Sequence, residues 1–351
     1  TFDWLIMNTE PVQNNNILVV DLDENFIQEY GGWPLPRTAY ADLITTTSAI
    51  PGITVLMPNA DIRDTRNDDI LALRMNYIPT VLATAASTQV STEGPHVGTA
   101  QLGEDPLPWL YQYPGILPTE STLKEKASGI GVVTATPEID GVTRRIPLVV
   151  NVGSKLYPSF ALELLRVAVQ DPSYQLKTTE EGVTWVRIPN YPLMNTDANG
   201  RIFLNWNTKF YKQTASHFIN DPIEAPFVIF GTTAEGVTNP VPTPAGAKYP
   251  HEIQANILHN LVQGTAPSTP TWAAGLKYAI ALFAFLALAF ASRSVWFSVP
   301  VLALVVVGSS YGTWYAYQSS YLIDASGIVI LSILFWAYHS FLSFLSEYRQ
   351  K

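Results

Sequence analysis

The chain has no cysteine among its 351 residues and no run of basic residues. The first absence excludes disulfide bonds, thiol nucleophiles and cysteine-ligated metals. Lysine and arginine together number 20 against 29 aspartates and glutamates, and the formal net charge is -9. A chain of that charge without a basic patch repels phosphate backbones on average, which argues against a nucleic-acid partner.

Long apolar runs are confined to the C-terminal end, at residues 272–292, 295–316 and 326–345. About 20 apolar residues suffice to cross the roughly 30 Å hydrocarbon core of a bilayer. Backbone polar groups in lipid must be paired within their own segment, so each run is expected to be a helix. The sequence therefore predicts three transmembrane helices.

These helices divide the chain into three parts. Residues 1–264 are predicted to form one domain, and a linker rich in Pro, Thr and Ser follows at residues 265–271. The membrane anchor is predicted over residues 272–346, with a short tail at residues 347–351.

Basic residues beside the predicted helices indicate their orientation. Arg293 lies between the first two helices, and Arg349 and Lys351 follow the third, so all three are on one side of the membrane. The positive-inside rule places that side in the cytoplasm. We therefore expect an extracytoplasmic domain and a cytoplasmic C-terminus, in the bacterial cytoplasmic (inner) membrane. A translocated domain needs a leader, so an N-terminal signal or a fourth membrane helix is expected to have preceded Thr1.

Strand-like and helix-like segments alternate in the first 85 residues. Apolar runs at residues 17–22, 53–57 and 80–85 predict buried strands, with helices between them at residues 38–49 and 68–75. This alternation is typical of a parallel unit with right-handed crossovers. The predicted fold class is α/β, a mixed sheet with flanking helices, joined to an α-helical three-span anchor.

The remainder of the domain is less regular. Residues 87–128 are rich in Gly and Pro and predict long loops. Asp-Gly at residues 140–141 lies between strands predicted at residues 130–134 and 145–152, which predicts a β-hairpin. A last helix is expected at residues 251–262.

Several motifs follow one another in a characteristic order. They are the strand and Gly-Gly-Trp-Pro-x-Pro-Arg at residues 17–37, Asp-x-Leu-Ala at 69–72, Asp-Gly-Val-x-Arg-Arg-x-Pro-Leu at 140–148 with Ser-Phe-Ala-Leu-Glu at 159–163, and Gly-Thr-Thr-Ala with Glu-Ile-x-Ala-Asn-x-Leu within 228–264. In order and spacing the chain resembles the type-two CHASE domain, a sensory extracellular domain associated with histidine kinases and cyclases. Three membrane helices behind the domain are also that family's layout. The resemblance implies a sensor.

The chain departs from that family pattern in three places. Residues 57–59 are Met-Pro-Asn where an acidic residue usually ends the second strand. The last helix has Gln254 where a histidine is usual, and His251 or Pro250 where a glycine is usual. Most members continue into a kinase or cyclase domain, whereas this sequence ends at Lys351.

Carboxylates cluster where the first strand ends, at Asp21, Asp23 and Glu24. Ligands of open α/β sheets bind at that edge, and clustered carboxylates can hold Ca²⁺ or Mg²⁺. The alternative is that they cap the following helix and pair with Arg37. A Ca²⁺ loop needs six or more oxygens, and no loop here has that spacing, so we predict no metal. Asp21, Asp23 and Arg37 remain candidate ligand-binding residues.

A second candidate site is the charged turn of Asp140, Arg144 and Arg145. Arginine forks suit carboxylate or phosphate groups, which would make this an anion site. The alternative is that Asp140 shapes the turn and one arginine forms a structural ion pair. Glu252, in the family motif of the last helix, completes the candidate set.

Catalysis is not expected in the domain. Residues 231–234, Gly-Thr-Thr-Ala, lack the Gly-Lys-Ser/Thr of a nucleotide loop. His251 and His259 are eight residues apart, about two helical turns, which is too far for one metal ion. No Ser-His-Asp or Cys-His arrangement is readable. We therefore predict neither an enzyme nor a cofactor.

Within the second predicted span, Gly308 and Gly312 form a small-xxx-small pair. Such a pair lets another helix approach closely. It serves either packing within the bundle or contact with a second chain.

Two functions of different classes follow. In the first, the domain recognises an unknown small ligand or a periplasmic protein, and the helices pass the change to a cytoplasmic effector. In the second, the chain is an accessory subunit that packs against a larger membrane complex. Either function implies membrane lipids as partners and a homo-oligomer or hetero-complex.

Overall fold

The computed structural model describes residues 2–50, 53–57, 66–87, 94–95, 97–133, 136–292 and 294–350. The chain divides into two compact units. One is Thr9–Ala266, called the α/β domain below. The other joins Thr1–Asn8 to Pro267–Lys351 and is called the membrane unit. The first residues of the chain therefore group with the C-terminal helices, and not with the domain that follows them.

The helices and strands are numbered in chain order. The helices are α1 (Phe2–Met7), α2 (Glu24–Glu29), α3 (Arg37–Ser48), α4 (Asp68–Met75), α5 (Ser121–Lys126), α6 (Phe160–Ala168), α7 (Ala215–Asn220), α8 (Pro250–Gln263), α9 (Ala273–Ala291), α10 (Val295–Gln318) and α11 (Ser326–Gln350). The strands are β1 (Val12–Leu22), β2 (Thr54–Met57), β3 (Thr80–Thr84), β4 (Ala86–Ser87), β5 (Gly98–Gly103), β6 (Gln112–Tyr113), β7 (Gly115–Ile116), β8 (Gly129–Val132), β9 (Arg145–Pro147), β10 (Val149–Val152), β11 (Lys155–Pro158), β12 (Ser173–Thr179), β13 (Gly182–Arg187), β14 (Met194–Asn195), β15 (Arg201–Phe203), β16 (Thr208–Thr214), β17 (Phe227–Thr232), β18 (Val241–Thr243) and β19 (Gly246–Lys248).

A six-stranded sheet forms the centre of the α/β domain, in the order β16-β1-β17-β2-β3-β8. Every neighbouring pair in this sheet is parallel. Helices α6 and α8 pack on one face, while α3 and α7 pack on the other. A second sheet, β14-β13-β12-β5, is antiparallel except for the β12–β5 pair. The mixed sheets with flanking helices confirm the predicted α/β class.

Strand β1 is buried on both faces, which explains its continuous apolar run. Leu18 and Val20 are fully buried and join a core cluster that contains Leu43 and Ile44 of α3. Val19 between them points to the opposite face and is equally buried. A parallel strand covered by helices on both sides needs apolar residues at consecutive positions, not at alternate ones.

The predicted hairpin around Asp140-Gly141 is wrong. The turn itself exists, and Gly141 has φ +81°. However, β8 pairs with β3 in the central sheet, and β9 pairs with β15. Gly131 of β8 lies so close to α6 that an added Cβ would be 2.4 Å from the Cα of Phe160. Helix packing therefore holds β8 in the central sheet, and the local turn does not decide its partner.

The long loops predicted for residues 87–128 are also partly wrong. The described part of this segment contains β5, β6, β7 and α5. Strand β5 is parallel to β12, which lies about 75 residues later in the chain. Because the residues of β5 are exposed or half-buried, the segment lacks the apolar pattern that reveals a buried strand.

The membrane unit contains three helices long and apolar enough to span a bilayer: Ala273–Ala291, Trp296–Gln318 and Ser326–Ser343. They confirm the three predicted spans. Ala284, Ala325 and Ile328 form a small apolar cluster between them. The Phe2 ring of α1 lies edge-on to Tyr317 of α10, with 6.4 Å between centroids. The chain is thus a membrane protein with an N-terminal domain on one side of the bilayer.

Helix α8 contributes a buried histidine to the domain. The amide nitrogen of Asn14 donates a 2.7 Å hydrogen bond to Nδ1 of His259, and the Phe210 ring lies edge-on to the imidazole. Burial lowers the pKa of His259. The neutral imidazole is the form that accepts this bond, so protonation would break it.

We expect this histidine to make the fold sensitive to acid. The unfolded chain takes up the proton near the ordinary pKa of about 6.5, and the folded chain only at lower pH, so stability is lost as pH falls below about 6.5. His259→Gln keeps an acceptor but does not titrate. Urea unfolding of the full chain in detergent, at pH 7.5 and 5.5, should show a larger loss in the parent than in the variant. Equal losses would contradict the assignment.

Candidate functional site at the strand ends

A cavity of about 320 Å³ lies where the central strands end. It is called the strand-end cavity below. Its lining comes from the ends of β3 and β17, the residues after β7 and β8, and the start of α8: Ala83, Thr84, Ala85, Leu117, Val133, Phe230, Gly231, Thr232, Thr238, Pro250, His251 and Gln254. The carboxyl edge of an open parallel sheet is the usual place for a ligand in this architecture.

A histidine and an aspartate are paired at this edge. Asp21 ends β1 and lies beside Gly231 in the parallel register of β1 and β17. Nε2 of His251 is 2.7 Å from Oδ1 of Asp21. Since a carboxylate only accepts, Nε2 carries the hydrogen and donates it. Among the described residues, none is hydrogen-bonded to Nδ1, which lies beside Gly231.

Gly231 makes room for that imidazole. A Cβ added at Gly231 would be 2.1 Å from Cγ of His251. Any side chain at this position would therefore displace the ring from Asp21. Gly231 is thus needed because the His251 ring lies against the backbone at this position.

The start of α8 is held by its own capping residues. Pro250 occupies the first turn, where its missing N–H costs no helical bond. Oε2 of Glu252 accepts a 2.7 Å bond from the backbone N–H of Tyr249, and Oε1 pairs with Lys212 of β16. The Tyr249 ring stacks on His251 with 6.0 Å between centroids. Glu252 is therefore a structural neighbour of the cavity.

Gln254 links the cavity to the neighbouring helix. Its Oε1 accepts a 3.1 Å hydrogen bond from the backbone N–H of Ala161, in the first turn of α6. The side chain is buried and also lines the strand-end cavity. A ligand that displaced Gln254 would leave the N–H of Ala161 without its acceptor, so the cavity and the packing of α6 on α8 are coupled.

The structure separates the other predicted site residues at the first strand. Asp23 caps α2, where its Oδ1 accepts a 3.0 Å bond from the N–H of Phe26. Arg37, at the start of α3, pairs at 2.5 Å with Asp68 at the start of α4, and both are buried. None of the three lines the strand-end cavity.

The charged turn lies elsewhere, and its charges are paired within it. Arg144 forms two hydrogen bonds with Asp140, of 3.0 and 2.7 Å, and this bonding lowers the pKa of Asp140 to about 2. Arg145 pairs with Glu138 at 2.7 Å and with Asp197 at 3.0 Å. Both guanidinium groups already hold carboxylates, so an incoming anion would compete with them.

Of the predicted residues, only Asp21 forms a side-chain hydrogen bond with a residue of the cavity lining, His251. Glu252 lies next to His251 in the first turn of α8. Sequence reasoning missed His251 and Gln254 as cavity residues. Two sequence features could have indicated this site: Gly231, which follows a buried apolar run, and Pro250, which begins the last helix of the domain. Met57-Pro58-Asn59, which differs from the family pattern, lies outside the described residues after Met57.

The glycine pair of α10 faces no neighbour in the described chain. No heavy atom beyond their own local backbone lies within 4 Å of a Cβ placed at Gly308 or Gly312. The close approach that such a pair permits is therefore not used between the described helices of one chain.

The comparisons with known proteins agree with this architecture. The family model of the CHASE2 domain matches residues 1–291, so the chain belongs to the CHASE2 domain family, a family of sensory extracytoplasmic domains. The match confirms the resemblance that the motifs indicated. No curated protein and no solved structure matches the chain.

We expect the Asp21–His251 pair to be energetically coupled. In a double-mutant cycle with Asp21→Ala and His251→Ala, urea unfolding of the full chain should give a coupling energy of about 1.5–3 kcal/mol, the range for hydrogen bonds to charged groups. The same cycle on exposed Asp140 and half-buried Arg144 serves as the control and should give a smaller value. A coupling no larger than the control's would show that the pair does not hold α8 to β1.

Proposed function

We propose that the chain is the sensing region of a membrane receptor, in which a small ligand in the strand-end cavity changes the packing of the membrane helices. One observation carries the proposal. Helix α8 begins with three residues of the cavity lining, Pro250, His251 and Gln254, and continues without a break to Gln263. The chain then enters α9 at Ala273.

Helix α8 is suited to transmit a displacement. It packs on α6, β1 and β17, so it moves as part of the α6–α8 layer. Gly264 ends it in the left-handed conformation, with φ +67°. Only eight residues, 265–272, then separate it from the first membrane helix. In the proposed mechanism, a ligand that favours one position of α8 acts on the start of α9 through these residues.

The lining of the cavity indicates the class of ligand. Most of it is apolar and includes Ala83, Leu117, Val133 and Phe230, while the polar side chains are those of three threonines, His251 and Gln254. The hydroxyl of Thr84 is already donated to the carbonyl of Leu117 at 2.7 Å. His251 and Gln254 are the polar groups at the start of α8. An apolar lining with a few polar groups suits a small uncharged molecule that carries polar substituents.

The orientation belongs to the same proposal. Arg293, Arg349 and Lys351 all fall on one side of three spans, which supports an extracytoplasmic domain in a bacterial inner membrane. The effector is then cytoplasmic, on this chain or on another. The proposal assigns no catalysis to the domain, and a periplasmic protein is the other ligand it allows.

We predict that filling the cavity changes the spacing of the membrane helices. The chain has no cysteine, so Gly275→Cys in α9 and Gly327→Cys in α11 provide unique sites for spin labels. Both glycines have open space around them. Adding Ala85→Trp fills the cavity, and electron–electron distance measurements in nanodiscs should show a shift of about 1–2 Å or more, as in helix shifts of known switches.

The control places the same side chain away from the cavity. Ala247→Trp, on exposed β19, should leave the distance distribution unchanged. Circular dichroism checks that the variants fold, and Thr238→Trp fills the cavity from another wall if Ala85→Trp does not. Unchanged distances in both folded cavity variants would contradict the proposal.

A second candidate function is an accessory subunit of a larger membrane complex. It is favoured by the uncovered face of Gly308 and Gly312, which suits a helix from another chain, whether a second copy or a different protein. Purification from the native membrane in mild detergent distinguishes the two functions. Stoichiometric membrane companions without a kinase or cyclase would favour the subunit, and a kinase or cyclase on the same chain or bound to it would favour the receptor.

A further inference from the structure

A polar cavity of about 310 Å³ lies inside the membrane unit. It is bordered by the turn between α9 and α10 and by the second half of α11. Its lining is Leu288, Ser292, Ser294, Trp296, Ser298, Phe335, Trp336, His339, Ser340 and Ser343. Five hydroxyls, an imidazole and two indoles are an unusual concentration of polar groups between apolar helices.

Several of these polar groups have no hydrogen-bond partner within the described chain, and three of them lie close to the helix ends or to α11. The side chains of Ser294, His339 and Ser340 form no hydrogen bond with any described residue, and His339 makes only ring contacts, with Phe335 at 4.7 Å and with Tyr338. By contrast, Ser298 accepts a 3.1 Å bond from Nε1 of Trp336. Ser294, His339 and Ser340 are half-buried, so an occupant of the cavity can supply the hydrogen-bond partners that the described chain does not.

The cavity lies at the depth in the bilayer where lipid headgroups are found. Ser292 and Ser294 flank the end of α9 and the start of α10, so they lie at one membrane face. His339 is 13 residues into α11, about 20 Å along a helix that starts at the opposite face. The cavity therefore spans the boundary between hydrocarbon and headgroup layers.

An apolar groove of about 570 Å³ shares Ser294 with this cavity. The rest of its lining is Ala287, Phe290, Ala291, Phe297 and Val301, of which Ala287, Phe290 and Phe297 are exposed on α9 and α10. A polar cavity and an apolar groove that meet at one serine match a molecule with a polar head and an acyl chain.

We propose that the polar cavity and the apolar groove form a binding site for a phospholipid, with the phosphate beside Ser294, His339 and Ser340 and one acyl chain in the groove. Hydroxyl and imidazole N–H groups donate to phosphate oxygens. None of the lining residues that the structure describes is a carboxylate, so these residues offer no charge partner for an amine. These features favour the phosphate over a cationic headgroup.

The experiment uses the full chain, delipidated in detergent and titrated in native mass spectrometry. The probes are dioleoylphosphatidylglycerol, dioleoylglycerol (which has the same chains and no phosphate) and inorganic phosphate. We expect the phospholipid to bind, the diacylglycerol to bind at least about tenfold more weakly, and inorganic phosphate not to displace the phospholipid.

Variants locate the binding. The double variant His339→Phe with Ser340→Ala should weaken phospholipid binding at least about tenfold. The control, Ser309→Ala with Ser310→Ala, removes two hydroxyls toward the other end of α10 and should leave binding unchanged. Circular dichroism confirms the fold, and Ser294→Ala alone provides a second test should the double variant misfold. Equal binding of the diacylglycerol, displacement by inorganic phosphate, or unaltered binding in folded cavity variants would each overturn the proposal.

Discussion

Strand β1 is paired in parallel on both sides, with β16 along one edge and β17 along the other. Parallel strands need crossover connections, so helices cover both faces of the sheet and β1 is apolar at every central position. The same pairing aligns the ends of the strands at one edge. Asp21 thereby lies beside Gly231, and the space above the glycine admits His251. The strand-end cavity exists because this register brings a carboxylate, a gap and a helix start together.

Helix α8 gives the cavity its connection with the rest of the chain. Its start contributes His251 and Gln254 to the lining, the Gln254 side chain also bonds the backbone of α6, and its last turn is followed by the linker before α9. A helix fixed at several points moves as a unit, because its backbone bonds resist local bending. One element thus contacts the cavity and is followed in sequence by the linker to α9.

In the membrane unit, polar groups are concentrated in one place among helices that are otherwise apolar. Most side chains of α9, α10 and α11 face lipid and are apolar, yet hydroxyls and an imidazole gather at the α9–α10 turn. The uncovered Gly308–Gly312 face and this polar cavity lie at different heights on α10. A neighbouring helix and a lipid can therefore occupy the bundle surface without competing for the same residues.

The sequence by itself determined what depends on local pattern. The apolar run of β1, the helices α3, α4 and α8, and the three spans all follow from residue spacing and length, and the motif order indicated the family. Only the tertiary structure decided which strands and which side chains pair with one another. Asp140-Gly141 makes its turn, but the flanking strands pair elsewhere, because strand partners depend on packing of distant helices. Asp21 and His251 are 230 residues apart, and Arg37 pairs with Asp68, a residue of another helix, and not with the carboxylates at the end of β1 as predicted. Periodicity shows which face of a segment is buried. It does not show which other segment covers that face, because strand register and helix packing bring together residues that are far apart in the chain.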